Sequence, residues 1–281
     1  MRHVLIDGNH LAARNKFASE RSFGTWSPEA WEYMCLESLF NLMSRFQGAC
    51  FVFCVDSPNS WRKEVYPEYK AHRAIKRSKD PEEARIWQEY MDTYAQFTDT
   101  IQKYLPLLVL QAPNCEADDF IGVLSDHLPR TTIIGSDKDF IQCLTYSTDV
   151  EIWDPITHVF RVSDNPKRDK FVKICCRDNS DNIPPIGHKV GPCKALKLFN
   201  GQIEWTAELR EGFDRNSRLM DFNRIPDDIA EKVLTAFYLD THGVRFDAHN
   251  FYMHLQDKGM NDILSRWDTI KARLEKVANA S

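Results

Sequence analysis

Nine acidic side chains fall in five groups whose placement could do chemistry. Asp7 ends the run Val4-Leu5-Ile6, Asp56 ends Phe51–Val55, and Asp137 and Asp139 follow Thr131–Gly135. Glu116, Asp118 and Asp119 share a Glu-Ala-Asp-Asp stretch, and Asp178 and Asp181 share Arg-Asp-Asn-Ser-Asp-Asn. Carboxylates gathered in one place repel one another and raise one another's pKa values. A pair of divalent cations is the simplest offset, and Mg²⁺ accepts carboxylate oxygens directly or through water. Two such ions about 3.5–4 Å apart can neutralise a phosphodiester, activate a water and stabilise the leaving oxygen. Each acid alone has a plainer reading as a turn residue or a helix cap. Five groups in one chain favour the metal. Asp137-Lys138-Asp139 has the shape of a phosphatase Asp-x-Asp, but no nucleophile strand of that class adjoins it.

The elements that would position these acids can be read from the apolar pattern. The runs preceding three of the groups read as buried parallel strands. In an open α/β sheet, ligands bind beyond the carboxyl ends of the strands. Strands are expected at about 2–7, 50–55, 107–110 and 131–135, with a hairpin across 149–161 turning at Asp154-Pro155. Ser27-Pro28-Glu29 and Asp80-Pro81-Glu82 read as N-cap, N1 proline and first-turn acid. They open helices reaching about Gln47 and Tyr104. Other helices are expected after His10, near Cys115 and over 139–144. Asp178–Phe199 reads as helix, Gly/Pro-rich turn, helix. Another helix starts at Pro226-Asp227-Asp228, and 247–281 also reads as helical. This order predicts an α/β fold with a mainly parallel central sheet, flanking helices and a helical C-terminal part. Residues 1–163 would form the α/β core and 164–281 the helical part.

Composition narrows the partners. With 43% hydrophobic residues, the 281-residue chain can bury a sizeable core. Its net charge of −5 conceals a split, because the chain without the nine acids is mildly basic. Residues 62–79 hold seven basic side chains (Arg62, Lys63, Lys70, Arg73, Lys76, Arg77, Lys79) against two acids, and residues 166–197 hold eight against three. An acidic centre with basic flanks suits an enzyme acting on a polyanion. The eight cysteines form no Cys-x-x-Cys pair and no zinc spacing, so they read as reduced, mostly buried thiols. The first strand begins almost at Met1, so no signal peptide is expected. No apolar run reaches the ~20 residues that span a bilayer. A cytoplasmic location is expected.

Taken in order, Leu5-Ile6-Asp7-Gly8-Asn9, Val55-Asp56, Tyr69-Lys70-x-x-Arg73, Glu116-Ala-Asp-Asp119, Ser136-Asp-Lys-Asp139 and Asp178-Asn-Ser-Asp-Asn-Ile-Pro184 resemble the flap endonuclease / 5′-nuclease superfamily over roughly residues 1–200. The stretch Arg224-Ile-Pro-Asp-Asp-Ile-Ala230 and the aromatic helices after it resemble the phage ribonuclease H branch, named for T-even bacteriophages. The resemblance implies 5′→3′ exonuclease and flap endonuclease activity in replication or repair, cutting DNA flaps and RNA primers near single-strand/duplex junctions. It implies a first metal cluster with its outer shell from Asp7, Asp56, Glu116, Asp118, Asp119 and Asp137. A second would come from Asp137, Asp139, Asp178 and Asp181, the two holding Mg²⁺ or Mn²⁺.

A helical arch over about 60–100 is also implied, with Lys70 and Arg73 as catalytic cations at its base and Tyr66 and Tyr69 stacking on an unpaired terminal base. Trp87, Tyr90, Tyr94 and Phe97, at helical spacing, read instead as core. A helix-three-turn-helix over about 170–199 would grip the duplex backbone through Gly187, Lys189, Gly191, Lys194 and Lys197. Here the chain departs from the family's Gly-x-Gly turn. A glycine is replaced near Lys189 and one residue is inserted, which leaves open the monovalent cation site often found at this turn. A monomer is expected, in the host cytoplasm if phage-encoded. A replication role admits a clamp or single-strand-binding partner, although no peptide motif marks one. Two other classes compete. A junction-binding protein without catalysis should have lost acids, and a metal phosphohydrolase acting on other substrates needs no basic flanks.

Overall fold

Strand becomes helix at a single residue near the start of the chain. β1 (Arg2–Asp7) ends on Asp7, and α1 (Gly8–Phe23) begins at the next position. The Asp7 carboxylate accepts the His10 N–H at 2.9 Å as the N-cap. The helix therefore starts earlier than the sequence suggested, because the aspartate itself caps it. Only glycine allows so tight a turn. A Cβ on Gly8 would lie 2.4 Å from the Phe53 ring and 2.7 Å from the Cys54 carbonyl oxygen.

The computed structural model describes residues 1–73, 80–146, 149–240 and 245–279. After α1 come α2 (Pro28–Arg45), β2 (Ala49–Cys54), the short α3 (Arg62–Val65), α4 (Pro81–Tyr104), β3 (Leu108–Leu110), α5 (Ala117–His127) and β4 (Thr131–Ile134). A 3₁₀ segment (Asp139–Thr145) leads to the hairpin β5 (Val150–Asp154) and β6 (Val159–Arg161). The helices α6 (Pro166–Cys175), α7 (Pro192–Phe199), α8 (Ala207–Met220), α9 (Asp227–Asp240), α10 (Ala248–Asp257), α11 (Asn261–Ser265) and α12 (Trp267–Ala278) follow. The two expected proline-marked starts are capped as read. Ser27 accepts from Ala30 N–H, and Asp80 accepts from Glu82 and Glu83 N–H.

The six strands among the described residues form one sheet in the order β3-β2-β1-β4-β5-β6, parallel except for the antiparallel β5–β6 pair. Asp7 pairs in register with Cys54, and Ile6 with Ile134. The residues leaving β1, β2 and β4 are therefore level at one edge of the sheet. Strand side chains alternate between two cores, as the period of two requires. Val4, Ile6, Phe51 and Phe53 pack with α1, α2 and α4. Leu5, Val52 and Cys54 pack with α5 and α9. Tyr90, Tyr94 and Phe97 are buried in the first core, as their spacing predicts, with Trp87 packed against it. Phe251, Leu255, Ile270, Leu274 and Val277 of the last helices join the same core.

One helix differs from the sequence reading. The chain is expected to be helical from Asp178, but α6 ends at Cys175, and residues 176–191 form a loop. Asp178 and Ile183 exchange both backbone hydrogen bonds, at 2.9 and 2.8 Å. The Asp178 carboxylate meanwhile accepts from Ser180 and Asp181 N–H. An aspartate that finds backbone donors this close competes with helix formation. The loop lies against α8 at Gly212, where an added Cβ would sit 2.0 Å from the Ile186 carbonyl oxygen. All eight cysteines are free, and six are buried. No described helix is long and apolar enough to cross a membrane.

Candidate active site

Each acid reaches the C-terminal edge of the sheet by a local device. Asp7 is held there as the cap of α1. Asp56 follows β2. Its N–H donates to Asn9 Oδ1 at 2.9 Å, and its Oδ1 accepts the Ala117 N–H at 2.8 Å. That bond places the Asp56 carboxylate at the N-terminus of α5, where the helix dipole favours negative charge. Glu116 is the N-cap of the same helix, and Asp118 and Asp119 lie in its first turn. Asp119 closes a capping box by accepting the Glu116 N–H at 2.8 Å. Beyond β4, Asp137 accepts the Asp139 N–H at 2.8 Å, forming a compact turn. Asp178 and Asp181 come from the loop between α6 and α7.

The nine acids form two groups that share Asp137. In the first, Asp7 lies within electrostatic reach of Asp56 and Asp137, and Asp118 within reach of Asp7, Asp137 and Glu116. In the second, Asp139 feels Asp137 and Asp178, and Asp181 feels Asp178. Burial, reinforced by the neighbouring carboxylates, pushes Asp7 and Asp139 up to about 7. The same causes, burial first, push Asp118 well above the usual carboxylate range and raise Asp56 and Asp181.

Cations of the chain hold the remaining acids. Arg62, 3% exposed, reaches Glu116 at 3.1 Å and Asp119 at 2.8 Å. Lys70 Nζ sits 2.8 Å from Glu116 Oε1, and Arg73 2.8 Å from Asp181. Lys173 bridges Asp139 at 2.9 Å and Asp178 at 2.8 Å. Burial pushes Glu116 upward, but Arg62 and Lys70 together outweigh it and leave the group low. Lys173 and Ser180 do the same for Asp178, which falls to about 2. Asp7, Asp56, Asp118 and Asp137 are different. Among the described residues, none of the four has a lysine or arginine in ion-pair range, the first group's cations going to Glu116 and Asp119.

The base of the expected arch is tied to the 180–183 loop. Lys70 N–H donates to the Asp181 carbonyl oxygen at 3.0 Å, with Lys70 itself in the left-handed region at φ 55°. Arg73 Nη2 donates to the Ser180 carbonyl at 2.9 Å, and Asn182 Nδ2 to the Glu68 carbonyl at 2.8 Å. Tyr69 requires a correction. It is 2% exposed, and its hydroxyl bonds both Glu116, at 2.9 Å, and Asp181, at 3.1 Å, so it has no free ring face for a base. Tyr66 is half-buried against the small core around Tyr69, Ile174 and Ile183. Lys76, Arg77 and Lys79 of the basic segment, within the expected arch, lie outside the described residues.

The expected nucleic-acid-binding residues gather at α7. Gly191 is its N-cap, with open space where a Cβ would stand. Lys189 and Lys197 are exposed, and Lys194 is half-buried. Gly187 packs tightly on Leu209 of α8 instead of lying open, since an added Cβ would meet Leu209 Cδ2 at 2.9 Å.

Two residues at the site escaped sequence reasoning. Arg62 and Lys173 belong to the two basic segments, but nothing in their spacing separates them from solvated neighbours. All the donors at the site are hard oxygens, which suits Mg²⁺ or Mn²⁺. No three His, Cys, Asp or Glu side chains among the described residues converge into a ready-made metal cage. The fit to a metal therefore rests on the unpaired carboxylates.

Residues 2–172 match the family described as the 5′-3′ exonuclease, N-terminal resolvase-like domain. The thermostable DNA polymerase I of Thermus filiformis is 28% identical over 251 residues, covering 86% of this chain and 27% of the polymerase. This chain thus spans about a quarter of that relative's length. Ribonuclease H of Enterobacteria phage T4 is 27% identical over 213 residues, covering 66% of this chain and 68% of that protein. Among solved structures, T5 5′-exonuclease with bound zinc superimposes with a TM-score of 0.63 at 15% identity, over 84% of this chain and 98% of that one. The bacteriophage T5 flap endonuclease in a pseudo-enzyme-product complex with DNA and metal ions gives 0.62 at 14% identity, over 85% of this chain and 99% of that one. At such identities the structural likeness speaks for the fold.

Proposed function

The chain belongs to the 5′-3′ exonuclease family within the flap endonuclease / 5′-nuclease superfamily, and from that membership we propose that it is a divalent-metal-dependent, structure-selective 5′ nuclease. Its reactions would be 5′→3′ exonucleolytic and flap endonucleolytic cleavage, with RNA-primer removal among its substrates. The observation that carries the reading is the set Asp7, Asp56, Asp118 and Asp137. These carboxylates are drawn to one sheet edge with no lysine or arginine paired to them among the described residues, and burial pushes three of them upward. Mg²⁺ or Mn²⁺ would be held there, with Asp139, Asp178 and Asp181 serving a second ion. When bound, such ions neutralise the phosphate and lower the pKa of water.

The chain's own groups supply the rest. Lys70 and Arg73 bring positive charge to the rim of the acidic edge, and a cation there stabilises charge developing on a phosphate. Tyr69 fixes Glu116 relative to Asp181, and Lys173 fixes Asp139 relative to Asp178. The N-terminus of α7, with Lys189, Lys194 and Lys197, is suited to the backbone of a duplex and carries no base-reading chemistry. The bacterial relatives carry this region within polymerases, and a clamp or single-strand-binding partner belongs to the same replication reading.

The test is a 5′-labelled flap DNA incubated with the protein in Mg²⁺ and in excess chelator. Metal-dependent release of the flap near its junction is expected. Asp181→Ala should slow release by roughly a hundredfold or more while junction binding persists. Tight binding without cleavage by the unaltered protein would replace the reading with a junction-binding one.

A further inference from the structure

Beside the carboxylates lies a second opening, a groove of ≈ 870 Å³ bounded by α1, the C-terminal half of α2 and the β5–β6 turn. Among the described residues, its lining holds three arginines, Arg14, Arg21 and Arg45, and no carboxylate, in a chain of net charge −5. Arg21 and Arg45 are exposed. The acids of the two helices lie or are engaged elsewhere: Glu20 with Lys16, Glu32 with His254 and Lys258, Glu37 with Arg266, and Glu29 with the Ser27 hydroxyl at the far end of α2. Asp154, whose field reaches Arg14, has its Oδ1 occupied by the Ile156 N–H at 2.8 Å.

The groove is built in advance of any ligand. Arg14 Nη1 donates to the Pro155 carbonyl at 3.0 Å and Nη2 to Ser38 Oγ at 3.2 Å, which pins the hairpin turn to both helices. The Arg45 guanidinium lies 3.6 Å from the centroid of the Trp153 ring. Phe17 and Ile156, 64% and 57% exposed, add apolar surface to the same lining. Arginine without a carboxylate partner is suited to phosphate, and an exposed aromatic ring is suited to a nucleobase. From His10 to Arg21, α1 rises about 16 Å, room for roughly five nucleotides stacked at 3.4 Å. One end of the groove adjoins the carboxylates, because His10 Nε2 is 2.6 Å from Ser136 Oγ, next to Asp137.

We propose that this groove holds a single-stranded nucleic-acid segment continuous with a junction at the carboxylates, with phosphates on Arg21 and Arg45 and a base on Phe17. The proposal stands on the groove and not on metal binding, so its test is made in chelator. The full chain is titrated by fluorescence anisotropy against a duplex with a single-stranded overhang, a blunt duplex and a free nucleoside monophosphate.

Arg21→Ala and Arg45→Ala should each weaken overhang binding roughly three- to tenfold and reduce its salt slope by about one. Phe17→Ala should weaken overhang binding by a similar factor with the slope unchanged. Binding of the blunt duplex should stay within about twofold in all three variants. An equal loss on blunt duplex would assign the arginines to general backbone attraction and overturn the proposal. Unchanged overhang binding, or saturable capture of the free nucleotide that the variants abolish, would overturn it as well. Cleavage by the unaltered protein in Mg²⁺, measured in parallel, separates this result from the nuclease reading. Absent cleavage with the overhang effect intact counts against the nuclease reading alone.

Discussion

Asp7 and Asp178 show at the residue scale how one set of carboxylates takes two opposite electrostatic states. Asp178 has Lys173 and a nest of backbone donors and falls to about 2. Asp7 has burial and two acid neighbours and rises to about 7, as Asp139 does despite Lys173. The linkage signs follow. A carboxyl raised in the folded state is destabilising once charged, so stability falls as pH rises from the ordinary value near 3.8 toward 7. Asp178, depressed in the folded state, contributes stability above 3.8 that is lost as pH falls toward 2. In chelator the protein should therefore melt highest between about pH 4 and 5 and lose several degrees by pH 8. Mg²⁺ or Mn²⁺ should raise the melting temperature more at pH 8 than at pH 5, because protons compete with the ions. Asp118→Asn, which removes one of the buried charges, should shrink both effects. Differential scanning calorimetry over this pH range is the check, and a melting temperature that climbs steadily to pH 8 without metal would contradict the assigned charge states.

At the element scale, the devices that aim these residues differ in how visible they are in the sequence. The helix starts at Ser27-Pro28 and Asp80-Pro81 were legible because capping chemistry is local. The strands were legible because short apolar runs bounded by turn residues and alternating with helix signals read as buried parallel strands. The helix expected at Asp178 gives way to a loop because the Asp178 carboxylate takes the Ser180 and Asp181 N–H groups while its backbone pairs with Ile183, a local competition that an apolar pattern does not display. Tyr69 was misread because an aromatic in a basic stretch resembles a surface residue until its hydroxyl is found between buried Glu116 and half-buried Asp181. The replaced glycine near Lys189 is instructive, since Lys189 adopts φ 53°, a conformation that glycine takes without strain. Gly8 offers the sharper experiment at this scale. A Cβ there would meet the Cys54 carbonyl oxygen at 2.7 Å, and a strand backbone cannot retreat as a side chain can. Gly8→Ala should cost roughly 1–3 kcal/mol of stability and shift Asp7 from its capping position. Denaturant unfolding reads the first effect and Mn²⁺ affinity the second. A variant that matches the parent in both would show that the turn can relax.

At the scale of the whole molecule, buried charge adds direction to the apolar packing that joins distant parts of the chain. Glu32 on α2 binds His254 of α10 and Lys258 just beyond it, which fastens the last helices to the first core. Arg62 makes the deeper connection. Its Nε donates to the Leu219 carbonyl of α8 at 2.8 Å, while Nη1 and Nη2 reach Glu116 and Asp119 at the start of α5. One guanidinium thus sets α3, the acidic helix terminus and a helix of the C-terminal part relative to one another. It is the shape of arginine that allows this, since the planar fork spreads its donors over Nε, Nη1 and Nη2, whereas the three donors of a lysine all leave one nitrogen. In the sequence, Arg62 stood undistinguished among seven basic residues, because burial is decided by what folds over it. Removing it leaves Glu116 and Asp119 buried with less compensation, and breaking such a pair from one side costs about 3–5 kcal/mol. Arg62→Ala should therefore destabilise the chain by that amount, and Arg62→Lys should recover only part of it. Mg²⁺ should offset part of the loss, because a divalent ion at the same edge answers the same excess of negative charge. Urea unfolding of both variants with and without Mg²⁺ measures all three terms. A loss below about 1 kcal/mol would mean that water enters to solvate the acids and that Arg62 is not what holds the two parts in register.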